Sequence, residues 1–87
     1  MHPDQIKELI RAGMTCEHLA LDGDGRHFAA IVVSAEFAGM SRVQRQQHVY
    51  RTLREKLASG ELHAISFKTL TPEEWSAERG KVADSGR

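Results

Sequence analysis

Cysteine is nearly absent from this 87-residue chain: Cys16 stands alone, which excludes an internal disulfide and, in a reducing compartment, reads as a small buried or half-buried thiol. No apolar run approaches the length of a membrane span. The polar start Met1-His2-Pro3-Asp4-Gln5-Ile6-Lys7-Glu8 carries no secretory signal, so the expected location is the cytoplasm, away from the membrane. Aromatics are few, with three Phe, one Tyr and one Trp. Phe28, Phe37, Tyr50 and Trp75 all read as anchored, so the exposed aromatic stack expected of single-strand binding is missing. Net charge is also missing: 12 cationic and 12 acidic side chains cancel, against a protein whose main work is non-specific polyanion binding. There is no Gly-x-Ser-x-Gly turn, phosphate-binding glycine loop or His-Glu-x-x-His helix, and Cys16 has no evident activating base. The chain is therefore not expected to be an enzyme.

What remains is a chain of ordinary soluble, globular composition, expected as a single domain over 1–87 with its core at about 4–79 and a frayed tail at 80–87. A domain this small buries only about 60–65% of the surface that its unfolded chain exposes, which leaves no room for a deep pocket. Its charge is unevenly spread. Arg42, Arg45, Arg51, Arg54 and Lys56 are opposed only by Glu55, Asp22 and Asp24 crowd one turn, and Glu73, Glu74 and Glu78 gather near the end.

Ile6, Leu9 and Ile10 recur at helical spacing, and Gly13 follows where a C-cap glycine belongs. Two strand-like runs, 15–21 and 27–34, flank Asp22-Gly23-Asp24-Gly25-Arg26, whose residues tolerate positive φ and predict an antiparallel hairpin. A loop, Ala35 to Met40, leads to the capping-box pattern Ser41-Arg42-Val43-Gln44. The longest helix then carries Val43, Tyr50, Leu53 and Leu57 along one stripe, with Val49 beside it, and stops at Ser59-Gly60. A third strand, Leu62 to Lys68, precedes Thr71-Pro72-Glu73-Glu74, which starts a last helix expected from Pro72 to about Arg79. The order is α-β-β-α-β-α, an α/β chain with a three-stranded mixed sheet. Strand two, long helix and strand three form a βαβ unit, whose strands are parallel.

Parallel neighbours bring their starts to one sheet edge, so His27 should lie close to His63. Cys16 should pair near the far end of strand two, roughly 17 Å from His27 at strand rise, which makes it a poor third ligand. Two imidazoles are half a metal site, since structural zinc needs about four ligands and hydrolytic zinc about three. Asp22 and Asp24 could contribute, although aspartates beside glycine are explained by the turn alone. A bound metal would draw its missing ligands from another molecule. Strand parity with Ile65 and Phe67 equally allows His63 to be a partly buried core histidine. His2, His18 and His48 show no partner pattern and read as surface or cap residues. A separate candidate is the basic helix start, where Arg42 and Arg45 beside Gly39 could contact phosphates.

The runs Phe37-Ala38-Gly39-Met40-Ser41-Arg42-Val43-Gln44-Arg45-Gln46-Gln47-His48-Val49-Tyr50 and His63-Ala64-Ile65-Ser66-Phe67-Lys68-Thr69-Leu70-Thr71-Pro72-Glu73-Glu74-Trp75 resemble the BolA family over roughly residues 5–79. The Gly-Asp-Gly-x-His-Phe hairpin and the helix entry look most like its bacterial IbaG (YrbA) branch. The resemblance implies a class II KH-like fold and a monothiol glutaredoxin partner. It also implies a [2Fe–2S] cluster shared with glutaredoxin cysteine and glutathione, which the isolated, monomeric chain does not hold stably. The histidine before Ala-x-x-x-Lys-Thr maps to His63. The second ligand, His or Cys by subtype, is matched only by His27, and histidine in place of thiolate is known chemistry for such clusters. Some family members are described as transcriptional regulators and DNA binders, so the same resemblance implies a rival use of Gly39, Arg42 and Arg45. A plain protein-interaction module with incidental histidines is the third reading.

Overall fold

The computed structural model describes residues 2–24 and 26–85, with side chains as far as Arg79. Helix α1 spans Pro3–Gly13, strand β1 His18–Gly23 and strand β2 His27–Val33. A 3-10 turn at Ala35–Phe37 leads to α2, Arg42–Thr52, and to a short α3, Arg54–Ser59. Strand β3, Ala64–Leu70, and helix α4, Pro72–Ser85, complete the α/β order expected from the sequence. The sheet order is β1-β2-β3, with β1 antiparallel and β3 parallel to β2. Among the described residues no helix is long and apolar enough to cross a membrane.

The periodicities explain which faces meet. Ile6 and Ile10, one helical turn apart, are fully buried. They join Leu19, Phe28, Ala30, Val32, Ile65 and Phe67, which share one sheet face, and Val49, Leu53 and Leu62 from the crossover. Burying each large aliphatic or aromatic side chain contributes about 1.5–3 kcal/mol. Residues of opposite parity, Val33 and Leu70, are buried as well. The stack of Trp75 on His18, with centroids 4.8 Å apart, puts α4 against that second face. The remaining second-face residues near the hairpin, Asp22, Ala29 and Ser66, are exposed.

Four details depart from the sequence reading. Gly13 is no left-handed cap, since positive φ occurs only at Gly39 and Gly60 among the described glycines. Instead α1 and α2 cross so closely there that a Cβ on Gly13 would lie 2.6 Å from Thr52 Cγ2. The long helix is interrupted at Leu53 (φ −113°, ψ 7°) and resumes as α3, ending at Gly60 in the left-handed conformation. Val43 is not in the core: it is 64% exposed, whereas Val49, at 0%, faces the sheet. Helix α4 continues beyond Arg79 to Ser85, because one helical glycine costs only about 1 kcal/mol and does not stop a helix unless it turns left-handed. The remainder of the expected tail, residues 86–87, lies outside the described residues.

Candidate functional site

The hairpin turn is built by its own aspartates. Asp24 Oδ1 accepts the N–H groups of Arg26 and His27, each at 2.9 Å, and the Asp24 N–H donates to the His27 carbonyl at 3.2 Å. These backbone donors, His27's first, hold the Asp24 carboxyl below its ordinary range. Asp22 Oδ1 likewise accepts the Gly23 N–H. Both carboxylates therefore serve the turn. This fixes His27 as the first residue of β2, with its side chain exposed.

His63 is positioned from the other side of the crossover. After Gly60 reverses the chain, the Leu62 N–H donates to the Lys56 carbonyl at 3.1 Å and the Leu62 side chain is buried at 1% exposure. His63 thus stands between a buried anchor and the first residue of β3, and it is exposed rather than part of the core. In the parallel ladder His27 pairs with Ala64, so the two histidine backbones are diagonal neighbours at one edge. Ladder parity assigns His27 to the face opposite the α1/α2 core. His63 precedes the ladder, so parity does not dictate its side-chain direction.

The other three histidines are engaged elsewhere. His2 caps α1, its Nδ1 accepting the Asp4 N–H at 3.1 Å. His18 stacks on Trp75. His48 donates from Nε2 to Glu36 at 2.9 Å and meets Phe37 edge-on. Among the described residues, His27 and His63 make no side-chain hydrogen bond, and no cluster of three or more His, Cys, Asp or Glu could hold a metal. Two exposed imidazoles at one edge supply half a coordination shell, a donor set suited to a shared site and insufficient for a private one. Cys16 lies at the opposite end: β1 begins with His18 opposite Val33, six residues along β2 from His27, or about 20 Å. It is half-buried, and burial pushes its thiol pKa up.

The three residues read as a phosphate site separate. Arg42 is exposed at the start of α2. Gly39 has φ +80° with open space around its Cβ position, so the turn itself accounts for the glycine. Arg45 is held inside the protein: Nε donates to the Met40 carbonyl at 3.2 Å, Nη1 to the Thr69 carbonyl at 3.3 Å, and both Nη atoms to Glu74. Its side chain is 13% exposed, so it does not join Arg42 as a free phosphate contact.

Arg45 belongs to a set that residue types alone did not reveal. The Leu70 carbonyl accepts from Ser34 on the β2 side, so by alternation the carbonyls of Ile65, Phe67 and Thr69 point outward from the sheet. Each accepts from α2: Tyr50 Oη at 3.1 Å, Gln46 Nε2 at 2.9 Å and Arg45 Nη1 at 3.3 Å. The helix thereby covers the acceptors of an otherwise open strand edge.

Comparison with known proteins agrees with this architecture. The family model described as BolA-like protein matches residues 9–74. The acid stress protein IbaG of Escherichia coli (strain K12) is 39% identical over 79 residues, covering 91% of this chain and 94% of the relative. The protein named DNA-binding transcriptional regulator BolA from Haemophilus influenzae is 38% identical over 68 residues, covering 78% and 65%. Among solved structures, a BolA homologue from Coxiella burnetii superposes with a TM-score of 0.77 at 32% identity, covering 87% of this chain and 97% of that one. The BolA domain of SufE1 from Arabidopsis thaliana gives 0.75 at 30% identity, covering 83% and 93%. A mixed three-stranded sheet with helices in its βαβ crossover, matched over most of its length by these solved structures, defines a BolA-type α/β domain. The chain belongs to the BolA-like family.

Proposed function

We propose that this chain is a non-enzymatic adaptor in iron–sulfur trafficking that shares a [2Fe–2S] cluster with a monothiol glutaredoxin and glutathione. The observation that carries this reading is the pairing of His27 with Ala64, which makes the two free, exposed histidines neighbours at one edge with too few donors around them to complete a site. Imidazoles of this pair would ligate one iron, and the partner's cysteine and glutathione would supply thiolates to the other. On this reading the isolated chain is a monomer that holds no cluster stably, because two imidazoles cannot complete a site alone. A role in acid stress follows by similarity to the Escherichia coli relative's name.

The test is to mix this protein with a monothiol glutaredoxin, iron, sulfide and glutathione under anaerobic conditions. The heterodimer should show absorption and circular dichroism unlike those of the glutaredoxin homodimer, and His27→Ala and His63→Ala should each remove the difference. An unchanged spectrum in both variants would overturn the ligand assignment. DNA-binding regulation is the alternative, supported by the name of the Haemophilus influenzae relative and opposed by the internal engagement of Arg45. It requires salt-dependent binding to a promoter fragment that Arg42→Ala weakens.

A further inference from the structure

We propose that the outer face of α2 and α3, centred on Val43, Tyr50, Arg51 and Arg54, is a docking surface for an acidic, partly apolar segment of a partner protein. It rests on neither His27 nor His63, so its failure and that of the shared-cluster reading are separable.

Val43 and Tyr50 are the large apolar side chains that stand exposed among the described residues, at 64% and 39%. They lie seven residues apart, two helical turns on one stripe. Tyr50 is already ordered, its hydroxyl on the Ile65 carbonyl and its ring edge-on to Phe67 at 5.0 Å. An aromatic anchor fixed before binding loses little rotamer freedom when covered. Gln47, Tyr50, Arg51, Arg54 and Leu57 line one shallow groove on this face, and tyrosine with arginine is the composition that dominates binding energy in protein interfaces.

The charge here is one-sided. From Arg42 to Leu57 the chain contains four arginines and one lysine against a single acidic residue, Glu55. Arg45 is neutralised by Glu74, as Lys56 and Lys68 are by Glu61 and Glu78, whereas Arg42, Arg51 and Arg54 form no ion pair among the described residues. Arg42 occupies the first position of α2, with no acid in that turn. A cation there opposes the helix dipole, so local helix stability does not explain it. A chain of zero net charge that leaves three arginines unmatched around two apolar side chains complements an acidic segment bearing apolar residues. Nucleic acid fits less well: three free cations fall short of the six or so phosphate contacts behind a strong salt-dependent affinity, and Val43 offers nothing to a phosphate.

The probes are a 12-residue peptide with four glutamates and two leucines, its analogue with serine for leucine, and a 12-nucleotide single-stranded DNA. Each is titrated into the full chain with backbone amide shifts followed by NMR. The leucine peptide should give saturable shifts confined to 42–57, and the serine analogue and the Arg51→Glu/Arg54→Glu variant should each raise the apparent Kd at least tenfold. Val43→Ser should raise it severalfold while leaving the amide spectrum of the free protein dispersed. Shifts centred elsewhere, indifference to charge reversal, or no saturable shift at millimolar peptide would overturn the proposal. Tighter binding of the DNA at the same residues would also overturn it and assign the face to nucleic acid.

Discussion

Arg45 and Glu74, 29 residues apart, are joined by two hydrogen bonds, Nη1 to Oε1 at 2.7 Å and Nη2 to Oε2 at 3.3 Å. The pair ties the start of α2 to the first turn of α4 across the end of β3. Glu74 Oε1 also accepts the Thr71 N–H at 2.8 Å, so one carboxylate caps a helix and clamps a guanidinium. Arg45→Ala should destabilise the domain by about 1–2 kcal/mol, discounted because Glu74 is half exposed, which lowers Tm by roughly 4–16 °C at this size. A Glu74→Ala partner in a double-mutant cycle should show coupling. Strict additivity of the two losses would refute the link.

The same carboxylate makes stability depend on pH. Glu74 is held below the usual glutamate range by the Arg45 side chain first and the Thr71 N–H second, and Glu36 by the Thr15 N–H and then His48. Both groups release their proton more readily when folded than unfolded, so the stability they contribute is fully present above the unfolded value of about 4.3. It is lost as pH falls through the lower folded values. Denaturant midpoints should therefore be flat in this respect from pH 7 to 5 and drop below about 4, with a shallower drop in Glu36→Gln. A profile in which Glu36→Gln and the parent fall in parallel would refute the assignment to Glu36.

His27→Ala and His63→Ala should leave the fold intact, since both side chains are exposed and neither makes a side-chain hydrogen bond among the described residues. Tm shifts below about 2 °C are expected, within the ordinary range of surface substitutions. A loss of cluster in either variant then reports on ligation and not on unfolding. A Tm loss above about 5 °C would show that the imidazole has a structural task.

How much of this was legible in the sequence follows from how local each feature is. The Ser41 capping box, with the Ser41 N–H on Gln44 at 2.8 Å and the Gln44 N–H on Ser41 at 3.2 Å, is written in four consecutive residues and reads directly. The proximity of His27 and His63 follows from topology alone, because a crossover can only join parallel strands. The direction of His63 does not follow, since its place just ahead of the ladder frees it from strand parity. Val43 lies on the apolar stripe yet is exposed, while Val49 beside it is buried, because which part of an apolar face meets the sheet is set by packing against other segments, which helical spacing does not encode. Arg45 looked like a phosphate ligand because its partners, Met40, Thr69 and Glu74, come from three separate segments. Gly13 looked like a cap because the side chain that crowds it belongs to another helix.

Gly13 gives a substitution whose sign runs against propensity. In an open helix Gly→Ala gains about 1 kcal/mol, but here the new Cβ would stand 2.6 Å from Thr52 Cγ2. Thr52 is β-branched and its Oγ1 is held on the Val49 carbonyl at 2.7 Å, so its rotamer resists the intrusion. Gly13→Ala should be net destabilising, by about 1 kcal/mol within the usual cost of overpacking. Thr52→Ser keeps the hydroxyl and deletes the offending methyl, so Gly13→Ala in that background should lose most of its penalty. Equal penalties in both backgrounds would contradict the close helix crossing.

The covered edge of β3 yields the last expectation. Tyr50→Phe and Gln46→Ala each remove the donor to an outward carbonyl, of Ile65 and of Phe67, and each should cost about 1 kcal/mol. Together they uncover acceptors on a strand with no neighbour beyond it in the sheet, a template for strand addition by another chain. The double variant should therefore do more than lose stability: at matched fractions folded it should self-associate, seen as concentration-dependent sedimentation, while a core variant destabilised to the same extent, such as Val49→Ala, stays monomeric. Equal association in the two would mean that general unfolding drives it and that Tyr50 and Gln46 do not guard the edge.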